Sequence, residues 1–576
     1  MHKPWLNHYD PGAKPSLSYP DLTLYEVLKR SAMVFRESPA VAFEGTHLSF
    51  TQILSQTDRL AASLAADGVA KGDIVTICLP NVPHALLFFY AVNKLGAVAN
   101  MVHPKTPQEE LRDIMRFTRS ERIVLLDAFA PRYNDMVLED WLRRVYVAKI
   151  GDFLSPLMKI GFYIAKGRKI KKPVSSAKWL PWKTLIHSGD SSPENDKYQR
   201  LLTPSEAAVY LHSGGTTGAP KTVVLSSAQL NVLAAQGPQI VNIPDPHVEK
   251  KAPDHRMLTI LPLFHGFGLG MGMHTMIFNG VTAVLVPLFT PDALVKALIS
   301  ERVTMIAAVP TLYESMLRNK KLRNRNLHHL TNCFCGGDSL SSELKERVEA
   351  FLHTHGANIP LREGYGLTET VTVCAVNPQF ACKSDSVGLP LADILMKVID
   401  PENGHDLPIG EKGEICVHGP TTMLGYLQDP EGTAHSVRLH EDGLDWVHTG
   451  DYGYMDEDGY FYFVQRLKRI IKVSGIPVFP SRIEEVLDGV SGVSMSCAVA
   501  IPDDYKQHVV KALVVPDTGL DPVDLPELET RIRQACEKYL FPHARPVVVE
   551  FREELPLTPV GKVDYKALEG DKVAES

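Results

Sequence analysis

Apolar and polar positions along the first hundred residues follow two alternating repeats. Leu22 to Phe35 and Gln52 to Asp67 carry apolar residues at the three- and four-residue spacing of an amphipathic helix. Ile74 to Leu79 is a short continuous apolar run, typical of a buried strand, and a second apolar helical stretch, His84 to Leu95, follows it. This alternation of strand and helix predicts an α/β fold with a parallel, doubly wound sheet.

A glycine-rich loop follows the apolar run Ala207 to Leu211. Its glycines let backbone N–H groups converge on an anion, its hydroxyl side chains add donors, and its lysine adds a positive charge. The loop is not a Walker A loop, because Ala219 and Pro220 separate its last glycine from the lysine and a strand follows. The pattern predicts a phosphate-binding loop, and a plain polar turn between strands is the alternative. The candidate ligands are Ser213, Gly214, Gly215, Thr216, Thr217, Gly218 and Lys221.

Further polar segments end later apolar runs. The stretch 362–370 combines a flat ring, hydroxyls and a carboxylate, which suit a purine, a phosphate and a hard cation. The segments read Leu261-Pro262-Leu263-Phe264-His265-Gly266, Cys335-Gly336-Gly337-Asp338-Ser339-Leu340, Arg362-Glu363-Gly364-Tyr365-Gly366-Leu367-Thr368-Glu369-Thr370, His448-Thr449-Gly450-Asp451, Gln465-Arg466-Leu467-Lys468 and Thr558-Pro559-Val560-Gly561-Lys562.

The order of these segments resembles the adenylate-forming enzymes, which include acyl-CoA synthetases, adenylation domains and luciferases. The loop at 213–221 is similar to that family's Gly-rich-Thr-Gly-x-Pro-Lys-Gly loop, with Thr222 in place of the last glycine and Ser227 in place of a common histidine. The resemblance extends from the N-terminal helices to Lys562 and is greatest to a medium- or long-chain fatty acid:CoA ligase. It implies binding of ATP, Mg²⁺ and the co-substrate coenzyme A.

The resemblance also implies a role for individual residues. In the family's pattern Tyr365 stacks on adenine, and Asp451 and Arg466 contact the ribose. Thr368 contacts the α-phosphate, and Lys562 reaches the reacting carboxylate. The implied catalytic residues are Lys562, His265, Glu369 and Thr368, and the implied Mg²⁺ ligands are Thr217 and Glu369. The other implied nucleotide or coenzyme contacts are Gly337, Asp338, Ser339, Gly364, Gly366, Lys472 and Gly475.

The resemblance implies two domains in this 576-residue chain, and a single core rarely extends over such a length. Residues 1–466 are expected to form a large adenylating domain of doubly wound sheets with a β-rich subdomain. Residues 467–576 are expected to form a small, mobile α+β domain that rotates about a hinge at Lys468. The implied reaction converts a fatty acid to an acyl-adenylate and then to acyl-CoA, releasing pyrophosphate and AMP.

Several alternatives stay open at the level of sequence. The acid is a fatty acid in the main prediction, and an aryl or other carboxylic acid in the first alternative. The acceptor is coenzyme A, or the thiol of a carrier protein in the second alternative. Gly337-Asp338-Ser339 also matches a phosphopantetheine attachment site, but it ends a predicted strand, whereas a carrier domain is a separate helical bundle. A non-catalytic scaffold is the alternative from a different class.

Net charge and cysteine content restrict the class of partner and the cellular compartment that we expect. The formal net charge of −7 argues against a nucleic-acid partner. The eight cysteines are scattered and form no Cys-x-x-Cys pair, so we expect reduced thiols and a cytoplasmic protein.

Two apolar stretches raise the question of a membrane. Prolines, histidines and glycines interrupt Met257 to Phe289, so buried strands flanking a glycine-rich helix fit better than a membrane span. Glycines at every second position from Gly266 to Gly272 indicate either an acyl tunnel or close helix–sheet packing. Residues 148–173 interleave aromatic and aliphatic residues with lysines and arginine, which predicts either peripheral contact with a membrane surface or a helix packed on its own domain.

Overall fold

The computed structural model describes residues 2–165, 167–171, 173–188, 202–213, 221–287, 290–474, 476–503, 506–517, 524–558 and 563–569. Its elements up to residue 213 are α1 (Leu24–Phe35), β1 (Pro39–Phe43), β2 (Thr46–Ser49), α2 (Phe50–Ala66), β3 (Ile74–Cys78), α3 (Pro83–Lys94), β4 (Val98–Met101), α4 (Gln108–Phe117), β5 (Arg122–Leu126), α5 (Asn134–Leu138), β6 (Arg144–Ala148), α6 (Pro156–Ala165), β7 (Trp179–Pro181), α7 (Trp182–Ser188) and β8 (Ala207–Ser213).

The helices begin where the sequence supplies caps. Thr23 and Ser49 each form a capping box with the third helical residue, Glu26 and Gln52, and so fix the first turns of α1 and α2.

The central part of the chain contains β9 (Lys221–Ser226), α8 (Ser227–Ile240), α9 (Pro246–Glu249), β10 (Arg256–Thr259), α10 (Thr275–Phe278), β11 (Thr282–Leu285), α11 (Pro291–Glu301), β12 (Met305–Ala308), α12 (Pro310–Arg318), β13 (Asn332–Gly336), α13 (Ser342–Thr354), β14 (Leu361–Tyr365), β15 (Ala375–Val376), β16 (Leu389–Pro390), β17 (Leu395–Ile399), β18 (Gly413–His418), β19 (Gly425–Tyr426) and α14 (Pro430–Ser436).

A third group of elements completes the chain. Valine and isoleucine recur along its strands, as expected for a pleated and half-buried surface. These elements are β20 (Val437–Leu439), β21 (Asp445–Met455), β22 (Phe461–Arg466), β23 (Ile471–Val473), β24 (Ile476–Val478), α15 (Pro480–Asp488), β25 (Val493–Asp503), β26 (Gln507–Pro516), α16 (Leu525–Tyr539), β27 (Val548–Phe551) and α17 (Tyr565–Glu569).

Two large sheets organise the residues before 430. One has nine strands in the order β16-β15-β14-β13-β12-β10-β11-β1-β2, and the other has eight in the order β19-β9-β8-β4-β3-β5-β6-β7. The central pairs of both sheets are parallel, and helices separate them along the chain. The expected α/β fold is therefore confirmed. Because parallel strands share a direction, their carboxyl ends form one edge, where the glycine-rich segments lie.

Smaller sheets follow. β17, β18, β21, β20 and β22 form a five-stranded antiparallel sheet, the expected β-rich subdomain. The last hundred residues contain the β23–β24 pair and the sheet β25-β26-β27, whose hydrophobic core is formed by residues between 471 and 540. The domain boundary at 466 and the hinge at Lys468 stay predictions.

The apolar stretch Met257 to Phe289 is built as expected from buried strands and helices. β10 and β11 flank a π-helix, Phe267–His274, that is almost wholly buried. Among the described residues, every helix is too short or too polar to cross a bilayer. A side chain at Gly266 would lie 2.0 Å from the carbonyl oxygen of Val371, and one at Gly268 would lie 2.2 Å from that of Pro262. These two glycines therefore permit close packing of backbone, not a tunnel.

Candidate active site

Three of the predicted ligands meet at the end of β14. The Tyr365 hydroxyl donates to Asp451 Oδ2 at 2.6 Å, and Arg466 Nε lies 2.8 Å from Asp451 Oδ1. Asp451 and Arg466 face each other because β21 and β22 pair in that register. The residues come from three strands, and their contact could not have been read from spacing alone.

Burial and charge hold this group in one arrangement. Asp451 is 1% exposed. Burial, and then the charge of Asp451, raise the pKa of Tyr365 well above its ordinary value, so the phenol keeps its proton. The charge of Asp451 also raises the pKa of Arg466. A carboxylate fixed by a ring hydroxyl and a guanidinium suits the binding of ribose hydroxyls beside a purine.

The turn that carries Asp451 is anchored from beneath. Glu414 accepts a hydrogen bond from the Gly450 N–H at 2.9 Å, and its other oxygen lies 2.9 Å from His448 Nδ1. The Thr449 hydroxyl donates to the Ile415 carbonyl at 2.6 Å. Glu414 and Ile415 of β18 thus support the turn that carries Asp451.

The predicted Mg²⁺ ligand Glu369 lies on the short 3₁₀ turn Thr368–Thr370. The Tyr426 hydroxyl donates to Glu369 Oε1 at 2.8 Å, and the Met423 N–H donates to the Glu369 carbonyl at 2.7 Å. Lys221 Nζ lies 4.2 Å from the centre of the Tyr426 ring. One tyrosine therefore links the carboxylate to the lysine, and an oxygen ligand in this setting fits Mg²⁺.

Tyr426 is not among the candidate residues named from the sequence, so sequence reasoning missed it. Its signal was present, because an aromatic residue ends an otherwise small and flexible motif. β19 pairs with β9 directly after Lys221, and this pairing brings the ring over the lysine.

A buried polar network joins β4, β8 and β9. His212 and Thr222 face each other across the β8–β9 pair, and Thr222 Oγ1 lies 3.0 Å from His212 Nδ1. His212 Nε2 lies 2.7 Å from Asn100 Oδ1. Burial lowers the pKa of His212 to about 4, so the ring is neutral, accepting from Thr222 and donating to Asn100. Thr222, which stands where the family usually has glycine, therefore has His212 as a hydrogen-bond partner.

Five of the predicted phosphate-loop ligands lie outside the described residues, as do the predicted catalytic lysine and one predicted glycine contact. Of Ser213, the described part is its backbone at the end of β8. The predicted residues outside the described ranges are Gly214, Gly215, Thr216, Thr217, Gly218, Gly475 and Lys562.

The second glycine-rich loop lies beside the end of β14. Gly336 pairs with Gly364 across parallel strands, and Gly337 has φ +84°, which favours glycine. Asp338 and Ser339 are exposed in the loop that follows. Because this loop joins β13 to α13 inside the large sheet, Ser339 does not lie on a separate carrier domain.

His265 approaches the Glu369 turn from another side. Its Nδ1 accepts from the Phe267 N–H at 3.3 Å, and the adjacent Gly266 touches Val371. Gly366 lies equally close to backbone, since a side chain there would lie 1.4 Å from the Thr372 carbonyl oxygen. The turn that carries Thr368 and Glu369 is therefore held on both sides.

The segment after Arg466 leads into the last hundred residues. Lys468 and Lys472 are exposed. Gln465 is 1% exposed and accepts from the Ser481 hydroxyl at 3.3 Å. Helix α15 begins at Pro480 after Phe479, because proline suits a first helical position.

Comparisons with known proteins agree with this geometry. Residues 28–427 match the family model "AMP-binding enzyme", and residues 482–562 match "AMP-binding enzyme C-terminal domain". The chain is 32% identical to a long-chain-fatty-acid--CoA ligase of Bacillus subtilis, covering 97% of this chain and 96% of that protein. It is 29% identical to a feruloyl-CoA synthase of an Amycolatopsis species, covering 93% and 96%.

A solved structure shows the same fold. The anthranilate CoA ligase AuaEII, solved in complex with anthranoyl-AMP, superposes with a TM-score of 0.80 at 21% identity, covering 96% of this chain and 97% of that one. Family model, full-length relatives and architecture agree along the chain. The chain belongs to the AMP-binding, adenylate-forming enzyme family.

Proposed function

We propose that this enzyme activates a fatty acid with ATP and transfers the acyl group to coenzyme A. The observation that carries the proposal is the convergence of Tyr365, Asp451 and Arg466 beside the Glu369–Tyr426–Lys221 group. The full-length similarity to a long-chain-fatty-acid--CoA ligase supports the choice of acid and acceptor.

In the proposed mechanism, a fatty-acid carboxylate attacks the α-phosphorus of ATP, which forms the acyl-adenylate and expels pyrophosphate. Asp451 and Arg466 bind the ribose, Tyr365 covers the adenine, and Thr368 contacts the α-phosphate. The step gathers negative charge, so fixed donors and cations lower its barrier. Thr217 and Glu369 would hold Mg²⁺, which would supply positive charge to neutralise the phosphates.

Lys562 is the proposed catalytic lysine of this first step. Rotation about Lys468 would then bring the coenzyme A thiol to the acyl-adenylate. Lys562→Ala should reduce pyrophosphate release from acid and ATP by at least about a hundredfold. Conversion of supplied acyl-adenylate to thioester should persist in the same variant, and unchanged pyrophosphate release would contradict the assignment.

The decisive experiment measures pyrophosphate release over a panel of short, long and aromatic acids, with and without coenzyme A. Sustained turnover that needs coenzyme A and prefers long aliphatic acids would support the proposal. The similarity to a feruloyl-CoA synthase favours an aromatic acid as the second candidate, and preference for aromatic acids would select it. Adenylate without thioester would indicate a carrier-protein acceptor, and no turnover would leave the scaffold alternative.

We further propose that the enzyme works in the cytoplasm and in part at the periphery of a membrane, through residues 148–173. All eight cysteines are free, as is typical of a reducing compartment. Long-chain acids partition into bilayers, so contact with a bilayer would bring the enzyme to its substrate.

A further inference from the structure

Helix α6 exposes an unusual amount of apolar surface. Five of its ten residues are large, apolar and exposed, and Leu157 is the most exposed of them at 81%. Isolated exposed apolar residues are common, but a continuous group of them marks an interaction site. These residues are Leu157, Met158, Ile160, Tyr163 and Ile164.

The exposed residues follow the helical repeat. Leu157, Ile160 and Ile164 stand at positions i, i+3 and i+7, so they form one stripe on the outer side of the helix. Met158 and Phe162, four residues apart on the opposite side, are less exposed. The stripe is therefore the most exposed apolar side of a helix that has no buried residue.

The helix is fixed to the domain at its base. Asp152 Oδ2 lies 3.3 Å from His84 Nε2 and accepts from the Lys149 N–H at 3.0 Å. The Phe153 ring packs 4.7 Å from that of His84. After the helix and the basic residues that follow it, the Val174 N–H donates to Asn134 Oδ1 at 3.0 Å. The apolar stripe is thus held at a set place on the surface.

All the charged residues in and directly after helix α6 are basic. The sequence from 153 to 178 contains seven basic residues and no acidic one, in a chain whose net charge is −7. Among the described residues, Lys159 on the helix and Arg168, Lys169 and Lys171 directly after it are exposed. Two copies of the chain meeting here would bring like charges together, whereas an anionic surface would neutralise them.

From this juxtaposition we propose that α6 and the exposed basic residues Arg168, Lys169 and Lys171 form a docking element for a bilayer that contains anionic lipids. A helix of ten residues is about 15 Å long, too short to span a bilayer, so it lies in the interface with its stripe among the acyl chains. The basic residues that follow contact the headgroups. The purpose of the element rests on the proposed function, since a fatty acid held in the bilayer would be delivered beside the domain.

The test is sedimentation of the full chain with phosphatidylcholine vesicles, with and without phosphatidylserine, in the absence of ATP. Two triple variants divide the element: Leu157→Gln/Ile160→Gln/Ile164→Gln removes the stripe, and Arg168→Ser/Lys169→Ser/Lys171→Ser removes charge. Matched controls change exposed residues elsewhere. These are Met33→Gln/Val248→Gln/Leu439→Gln and Lys251→Ser/Lys320→Ser/Arg325→Ser.

We expect the wild-type chain to bind vesicles that contain phosphatidylserine much more strongly than phosphatidylcholine alone. Each lost charge should weaken binding by about fivefold, and the stripe variant should weaken it by roughly a hundredfold. Both control variants should bind like the wild-type chain. Thermal unfolding should be unchanged in all variants, because every substituted side chain is exposed.

Wild-type binding by both test variants would overturn the proposal. So would loss of self-association in the stripe variant without any change in vesicle binding, since the stripe would then join two copies of the chain. Vesicle binding is measured without ATP, and pyrophosphate release from a short, water-soluble acid is measured without vesicles. Failure of the proposed function and failure of docking are therefore distinguished.

Discussion

The two ends of the nucleotide site are built differently. At the ribose end, Asp451 is buried, and both of its oxygens are engaged by Tyr365 and Arg466. At the phosphate end, the Lys221 side chain is 39% exposed and lies 4.0 Å from Asp429, over the ring of Tyr426. In the proposed function, the closed network would position the nucleoside, whereas the partly exposed Lys221 would remain able to rearrange as phosphate and metal arrive.

The largest expected effect comes from breaking the closed end. Asp451→Ala leaves a buried tyrosine hydroxyl and an arginine without their acceptor, which costs about 3–5 kcal/mol. We expect kcat/KM for ATP to fall by at least about a hundredfold, measured as pyrophosphate release.

The control for this variant is Asp445→Ala, an exposed aspartate at the start of the same strand. It should leave kcat/KM for ATP unchanged. A fall of less than about tenfold in Asp451→Ala would mean that the ribose end is not the anchor of the nucleotide.

A second variant tests the support behind the phosphate end. Gly266→Ala places a methyl group 2.0 Å from the Val371 carbonyl oxygen and pushes on the turn that carries Glu369. We expect a loss of about 1–3 kcal/mol in the free energy of unfolding, measured with urea, and roughly a tenfold loss in kcat/KM for ATP.

Gly272→Ala is the matched control, because its methyl group would meet Thr259 Cγ2 at 3.4 Å. It should be stable and active. Equal stability of the two variants would show that the glycine at 266 is not required by close packing and would return weight to an open tunnel.

A third variant separates metal binding from nucleotide binding. Tyr426→Phe keeps the ring over Lys221 and removes the hydroxyl that orients Glu369. The loss of one hydrogen bond to a carboxylate, about 1.5 kcal/mol, should raise the Mg²⁺ concentration at half-maximal rate by about tenfold. Tyr462→Phe removes a similar hydroxyl that donates to Asp456 at 3.1 Å and should leave the Mg²⁺ requirement unchanged. An unchanged Mg²⁺ requirement in Tyr426→Phe would show that the Tyr426 hydroxyl does not orient a metal ligand.

The sequence predicted these two ends unequally. Tyr365, Asp451 and Glu369 stand in compact motifs whose residue types match their chemistry, so position and role could be proposed together. Tyr426 and Asn100 act through partners more than fifty residues away. Such pairings depend on strand order and register, which local patterns do not contain.

Burial of apolar stretches was also predicted unequally. The run from Phe267 to His274 and helix α6 are both rich in apolar residues, yet the first is almost wholly buried and the second exposed. The glycines of the first run permit backbone contact on several sides. The lysines beside α6 favour solvent or headgroups, but hydropathy alone does not distinguish the two.

The smallest expected effect concerns the buried network of Asn100, His212 and Thr222. Thr222→Val removes the hydroxyl that donates to His212, and Thr222→Ser restores it. Because the network lies on β8 and β9 and does not touch substrate in the proposed mechanism, Thr222→Val should raise KM for ATP only about threefold, with kcat unchanged. Thr222→Ser should return KM to the wild-type value. A loss in Thr222→Val as large as that in Asp451→Ala would mean that the phosphate end also depends on a closed, buried network, and the contrast between the two ends would fail.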